Sequence, residues 1–491
     1  ATHSVDARVS ALESQQLEAA KTIAELQGRD ALETQFLANI SHDLRTPLTA
    51  IVTDAEILRD GILGDLSERQ LESVNGIISG GQALTKVGGN TLTLTADNSH
   101  SGGTTVNLGT LILSGAGSIN DGGTTINPTA TLVLDNFGTN TNNRLGSRTL
   151  TVVGGNVNII GNAAAATTQA LGAQNFTISG GNAVVTVTPS ENFGTTFSST
   201  NALQRANNGT ALFRGENLGI APGAEVGTIL LGSIPMIGQQ GGAGAKNRGI
   251  IPWAIADQSA TGTGSSFAAH VGTLGIQVLA ASEYDIDTIT GPNNIQLSIG
   301  TTSAPAGNTL INSITMTGGA LALGAADTLQ IDSGGILATV SGTISGGTLN
   351  AGIAASNNLR EWVVMTPGAA TNLTINSPLA TSIPGINISG PGISPNVVNR
   401  LGLTKAGNGT LTLGAQNTFA GSTRLNDGTT VLAGGENTIY FPSTGAPLLG
   451  ATGSSLNTGN LIVNSGATLD LNGNDQRVGG YASNFAAGSS A

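Results

Sequence analysis

Chemistry in this chain has to come from few residues: among 491 there are four histidines and no cysteine, and only 10% are charged. One imidazole stands beside a carboxylate, at His42-Asp43 within Phe36-Leu-Ala-Asn-Ile-Ser-His-Asp-Leu-Arg-Thr-Pro-Leu-Thr49. Such a pair suits a histidine nucleophile, because the carboxylate orients the ring and helps to deprotonate it. A lone histidine on a helix, by contrast, is most often just a solvated side chain. Gly241-Gly-Ala-Gly-Ala-Lys-Asn-Arg-Gly249 is glycine-rich and basic but lacks Gly-Lys-Ser/Thr. It therefore reads as a flexible surface loop and not as a phosphate loop. Trp253 and Trp362 could stack on sugars, although packing is the simpler use of both. No Gly-Gly-x-Gly-x-Asp calcium repeat occurs, and no metal site is expected.

The elements that must position these residues fall into two kinds. Residues 1–83 carry 19 charged side chains and 6 glycines, whereas residues 84–491 carry 29 charged side chains and 66 glycines. The first part reads as helix and the second as short strands and turns. Val9, Leu12, Ala19, Ile23 and Leu26 keep an a/d spacing with Gln16 as the polar intruder, about two and a half heptads of coiled coil. Phe36, Leu37, Ile40, Leu44, Leu48, Ile51, Ala55 and Leu58 then fall on one helical face. Gly61 and Gly64 mark a turn, and Ser67 with Gln70 makes a capping box for a returning helix. That hairpin is too small to bury its own apolar face, so it is expected to form a homodimeric four-helix bundle through residues 1–83.

The string around His42 resembles the H-box of the dimerisation and phosphoacceptor domain of sensor histidine kinases. The resemblance covers about residues 33–82, with a coiled-coil signal helix at 1–32 before it. It implies His42 as the phosphoacceptor, Asp43 as the group that orients and deprotonates it, and Thr46 as the positioner of a water for dephosphorylation. Pro47, which cannot donate its backbone bond, would bend the helix. The Asp-x-Gly-x-Gly and accompanying glycine-rich loops of a kinase ATP-binding domain are missing from the 491 residues. No cofactor is therefore expected in this chain: ATP would have to be bound by a separate kinase domain, with a response regulator as the further partner in trans.

Residues 84–113 recur at 403–432, with a constant offset, no gap and at least half of the positions identical. Leu84/Leu403, Lys86/Lys405, Leu92/Leu411, Leu94/Leu413, Asn98/Asn417, Gly102/Gly421, Asn107/Asn426 and Gly109/Gly428 are shared. Each copy reads as alternating strands that bury leucine and expose threonine, joined by Asn- and Gly-containing turns. This unit resembles the autotransporter-associated β-strand repeat of secreted bacterial passenger regions, and residues 461–473 look like the same class of rung. The resemblance implies a mainly β fold, a right-handed parallel β-helix over 84–491, preceded by the helical hairpin and coiled coil. Roughly 20–25 residues per coil predicts on the order of 16–20 coils. At about 4.8 Å per strand they would form one rod roughly 80–95 Å long. The less repetitive stretch near 190–290 reads as an insertion between coils.

Gly264-Ser-Ser-Phe-Ala-Ala-His-Val271 resembles the serine motif of subtilisin-like proteases, but its proline is missing before His270 and no Asp or His-Gly-Thr motif accompanies it. The bland reading is a loop. A net charge of -12 argues against nucleic acid as a partner. No stretch reaches the roughly 18 apolar residues of a membrane span. Passenger repeats work outside the cell or on its outer surface, whereas a phosphoacceptor hairpin works beside ATP in the cytoplasm. The expectation is a non-catalytic β-helical passenger joined to an incomplete kinase, as a fragment or fusion; whether the chain is an enzyme stays open. The alternative is a two-component signalling component phosphorylated on His42.

Overall fold

The computed structural model describes residues 83–98, 100–119, 122–239, 241–353, 358–359, 361–380, 402–419, 421–439, 460–476 and 481–484. The chain divides into two compact units, Ala1–Gly80 and Gly81–Ala491. All described residues belong to the second, so the helical hairpin, the coiled coil, His42, Asp43 and Thr46 lie outside them.

Short strands stack in parallel, each one pairing with the strand one coil further on. Leu84–Lys86, Thr104–Val106, Thr124–Ile126, Leu150–Val152, Phe176–Ser179 and Gln204–Ala206 form one sheet. Thr91–Leu94, Thr110–Leu113, Thr131–Asp135, Asn156–Ile160, Asn182–Thr188 and Thr210–Gly215 form a second beside it. The register Leu84↔Thr104↔Thr124 makes the first coils 20 residues long. Alternation drives the coil shut: in Thr91–Leu94 both leucines are buried and both threonines exposed. Inside, Leu92, Leu111, Leu132, Val157 and Val185 run from coil to coil as one core. A single coil has too little apolar surface to fold; only stacking completes it.

The ladder does not run on as one rod. After Gly227–Leu230 the chain leaves parallel pairing, and Ile251–Asp257, Ser266–Val271 and Gly275–Val278 form an antiparallel meander on the end of the second sheet. Of the stretch near 190–290 that reads as an insertion, Thr195–Ser198, Gln204–Ala206, Thr210–Gly215 and Gly227–Leu230 still pair in parallel with earlier coils, and the meander follows them. From Asp285–Ile286 a second stack begins and continues in nine strands to Tyr481–Asn484. Nine strands at about 4.8 Å give a stack of about 40 Å, half the expected rod. Its coils are less regular: Trp362 pairs with Leu403, but Leu403 pairs with Thr423, steps of 41 and 20 residues.

The two stacks pack side by side, which explains where simple alternation fails. Ser313–Met316, Gly335–Ala338, Trp362–Met365 and Leu403–Ala406 are buried at every position. Their inward residues, such as Ile336, Val364 and Leu403, join the second core. Their outward residues Leu337, Val363, Met365 and Ala406 join the core of the first stack instead. A sheet covered on both faces loses its polar side, and Thr404 is buried although its repeat counterpart Thr85 is exposed.

Candidate functional site

The repeat copies are the feature from which function can be argued, and their shared polar residues act on the backbone. Lys86 points inward and donates to the carbonyls of Val87 (2.9 Å), Gly88 (2.7 Å) and Leu108 (3.2 Å). Lys405 repeats this, donating to Gly407, Gly409 (2.6 Å) and Asp427 (2.6 Å). Burial pushes the Lys405 pKa down to about 7, with the nearby Asp427 pulling the other way. One amine with three N–H donors thus meets three turn carbonyls at once, among them Gly409 O, which also accepts from Thr429 N. Asn98 and Asn417 do the same one turn later, donating to Ala96 and Ser118 and to Ala415 and Thr438. Asn107 accepts from Asn127 (2.6 Å), and Asn426 from Asn464 (2.7 Å), so equivalent carboxamides tie one coil to the next.

Gly109 and Gly428 fix the turn into which the lysine reaches. Both have positive φ, 71° and 66°. A β-carbon on Gly428 would strike Gly407 O, Gly409 O and Lys405 Nζ, and one on Gly109 would strike Gly88 O and Asn90 O. The motif is thus a turn built for stacking, with the lysine common to both copies spent on backbone.

Each other sequence candidate in the β region also finds a structural partner. The serine motif is a buried central strand of the meander, not a loop. Ser266 Oγ donates to Phe267 O and bonds Tyr284 Oη at 3.0 Å, while His270 Nε2 bonds Leu231 O at 3.0 Å. Four residues along one strand, the two side chains are about 13 Å apart, so no nucleophile–base pair forms. Burial lowers the His270 pKa and Arg248 lowers it further, against the bond to Leu231.

The glycine-rich stretch 241–249 is pinned rather than free. Arg248 forms a buried pair with Glu283 (2.9 Å) and donates to Gln277 (2.8 Å), and Gly244 N donates to Glu283 (2.6 Å). Lys246 pairs with Asp285 at 2.7 Å. Burial raises the Asp285 pKa, but bonds from Asn293, Lys246 and Thr290 outweigh it and hold the carboxyl at about 2. A cleft of about 450 Å³ lies here, lined by Leu218, Gln258, Leu279 and the Arg248–Glu283 pair. Trp362 is buried and donates to Ala380 O (3.3 Å). Trp253 is buried as well, with the Arg205 guanidinium 5.4 Å from its ring centre. Neither offers a face to a sugar.

Residues 32–98 match the model of the His Kinase A (phospho-acceptor) domain, and residues 84–113 and 403–438 match the Passenger-associated-transport-repeat. Both resemblances stand. They overlap over 84–98, and there the structure has the strands Leu84–Lys86, Thr91–Leu94 and Asp97–Asn98 of a repeat coil. No curated protein and no solved structure matches the chain. His Kinase A domains usually dimerise. Among the described residues, no group of three or more His, Asp or Glu could hold a metal, and no helix is long and apolar enough to cross a membrane.

One polar cluster was not visible in the sequence. Glu361 accepts from Arg205 (2.7 Å), Asn208 (2.9 Å) and Thr404, with Arg424 close by. Asn182 donates to Asp427 (3.2 Å), and Asn426 to Asn208 O (2.8 Å). All of these bonds except that from Thr404 cross between the two stacks. Their partners are separated by 153 to 245 residues, and no local pattern announces them.

Proposed function

We propose that residues 84–491 are a non-catalytic, right-handed β-helical passenger of a secreted or surface protein, a stalk, adhesin or matrix element. The right hand follows from the near-universal hand of crossovers between parallel strands. One observation carries the reading: two repeat copies in different stacks build the same turn around the same lysine, and that lysine binds backbone carbonyls, not a substrate. Residues 1–83 act as a homodimerising hairpin of histidine-kinase descent, and on the surface that role is structural. The test is the tryptic peptide Gln70–Lys86, which crosses the change in composition. It is expected in the surface fraction of source cells by mass spectrometry. Peptides from the two sides appearing in different fractions, with no junction peptide, would overturn the joined reading.

A second reading is favoured by the match over residues 32–98. In it the chain is a cytoplasmic phosphorelay component, with His42 accepting the γ-phosphoryl group of ATP bound to a separate kinase domain. Asp43 activates the ring and Thr46 positions water for the reverse step. Given a partner kinase, His42→Ala is expected to abolish acid-labile radiolabel transfer to the chain. Unaltered labelling of the variant sinks this reading.

A further inference from the structure

We propose that the outward sheet face of the first coils is a contact surface for a second copy of this chain. The observation behind it is a difference between two copies of one repeat. In the second copy, Thr404, Ala406 and Asn426 are buried because the first stack covers them, and Asn426 reaches across to Asn208 O and Thr210 Oγ1. In the first copy, the equivalent Thr85 is exposed, Val87 is 58% exposed, and Thr105, Asn107 and Leu108 are half-buried. Among the described residues, nothing covers at its other occurrence the surface that packs laterally in the second copy.

Its chemistry suits self-contact. Where the second copy has Arg424 and Asp427, the first has Thr105 and Leu108. Thr85, Thr105, Thr125, Thr151 and Thr177 stand in register on successive strands, a hydroxyl and methyl column with no charged member. Two copies with a net charge of -12 each repel at a distance, but this face buries no charge against its twin. The choice of a second copy as occupant rests on the reading of residues 1–83 as a dimerising segment. In a chain dimerised through residues 1–83, the coils of the two copies are held at a raised effective concentration.

The chain has no cysteine, which makes the test direct. Thr105→Cys and Thr93→Cys place single thiols on different sheets of the first coils, and neither native side chain is buried. In the full chain under mild oxidation, Thr105→Cys is expected to give about fivefold more disulfide-linked dimer than Thr93→Cys, as effective concentration at a contact predicts. Light scattering on the unsubstituted chain reports separately whether residues 1–83 dimerise. A dimeric chain that cross-links equally at both positions overturns the lateral face and leaves the hairpin reading intact. A monomeric chain overturns both.

Discussion

Gly428→Ala is expected to destabilise the β region by about 4–5 kcal/mol, near the upper end of what single substitutions do. Two costs add. With φ at 66° the residue is in the left-handed region, where a β-carbon costs about 1–2 kcal/mol. The larger cost is steric: the new carbon would sit 2.5 Å from Gly409 O, and closer still to Gly407 O and Lys405 Nζ. These are the atoms of the lysine–carbonyl network, so relief of the clash must pull the amine from its acceptors. A buried carbonyl left unpaired costs about 1–3 kcal/mol. Gly109→Ala meets the equivalent atoms, Gly88 O at 2.6 Å and Asn90 O, and should behave alike. Gly473→Ala separates the terms: its φ is 73° and nothing lies within 4 Å, so only the backbone strain of about 1 kcal/mol remains. Urea midpoints of the three variants, read by far-ultraviolet circular dichroism, test the ranking. If Gly428→Ala costs no more than Gly473→Ala, the lysine does not hold the turn.

Much of this was legible from residues alone, for a physical reason. Leucine–threonine alternation has the period of a strand, and Thr91–Leu94 or Thr410–Leu413 fold as that pattern dictates. The repeated Lys, Asn and Gly positions were visible as repeats, but their partners were not, because a sequence shows that Lys405 recurs and not which carbonyls it meets. The lateral packing of stack on stack left a fainter trace. Met365, Leu337 and Val363 break alternation by placing apolar side chains outward, a hint that both faces of that sheet are covered. The meander had no such trace: in Ser266–Val271 every residue but the last is buried, and a run of small and apolar residues reads equally as loop or core strand. Lys246 and Arg248 looked free because their partners, Asp285 and Glu283, arrive on a later turn of the chain.

Glu361→Ala is expected to cost about 2–3 kcal/mol and to loosen the seam between the stacks, because removing the buried carboxylate strands the half-buried Arg205 and its other donors. Glu361 accepts two bonds from Arg205, at 2.7 and 3.3 Å, one from Asn208 and one from Thr404. Once it is gone, Arg205 and Arg424 face each other without that counter-charge, and the field of Arg205 already works against the charge on Arg424. Arg205 keeps only its bond to Gly209 O and its place over Trp253, neither of which neutralises it. The loss should appear as an earlier urea transition and as faster proteolysis of the loosened stacks, while the repeat turns keep their own lysine contacts. Adding Arg205→Ala to Glu361→Ala should recover part of the loss, since the stranded cation goes with it. Contacting charges couple by about 0.5–3 kcal/mol in such cycles. Additive costs would show that the Arg205–Glu361 pair does not hold the stacks together, and leave the seam to the apolar contacts of Leu337, Val363, Met365 and Ala406 and to the bonds of Asn182 and Asn426.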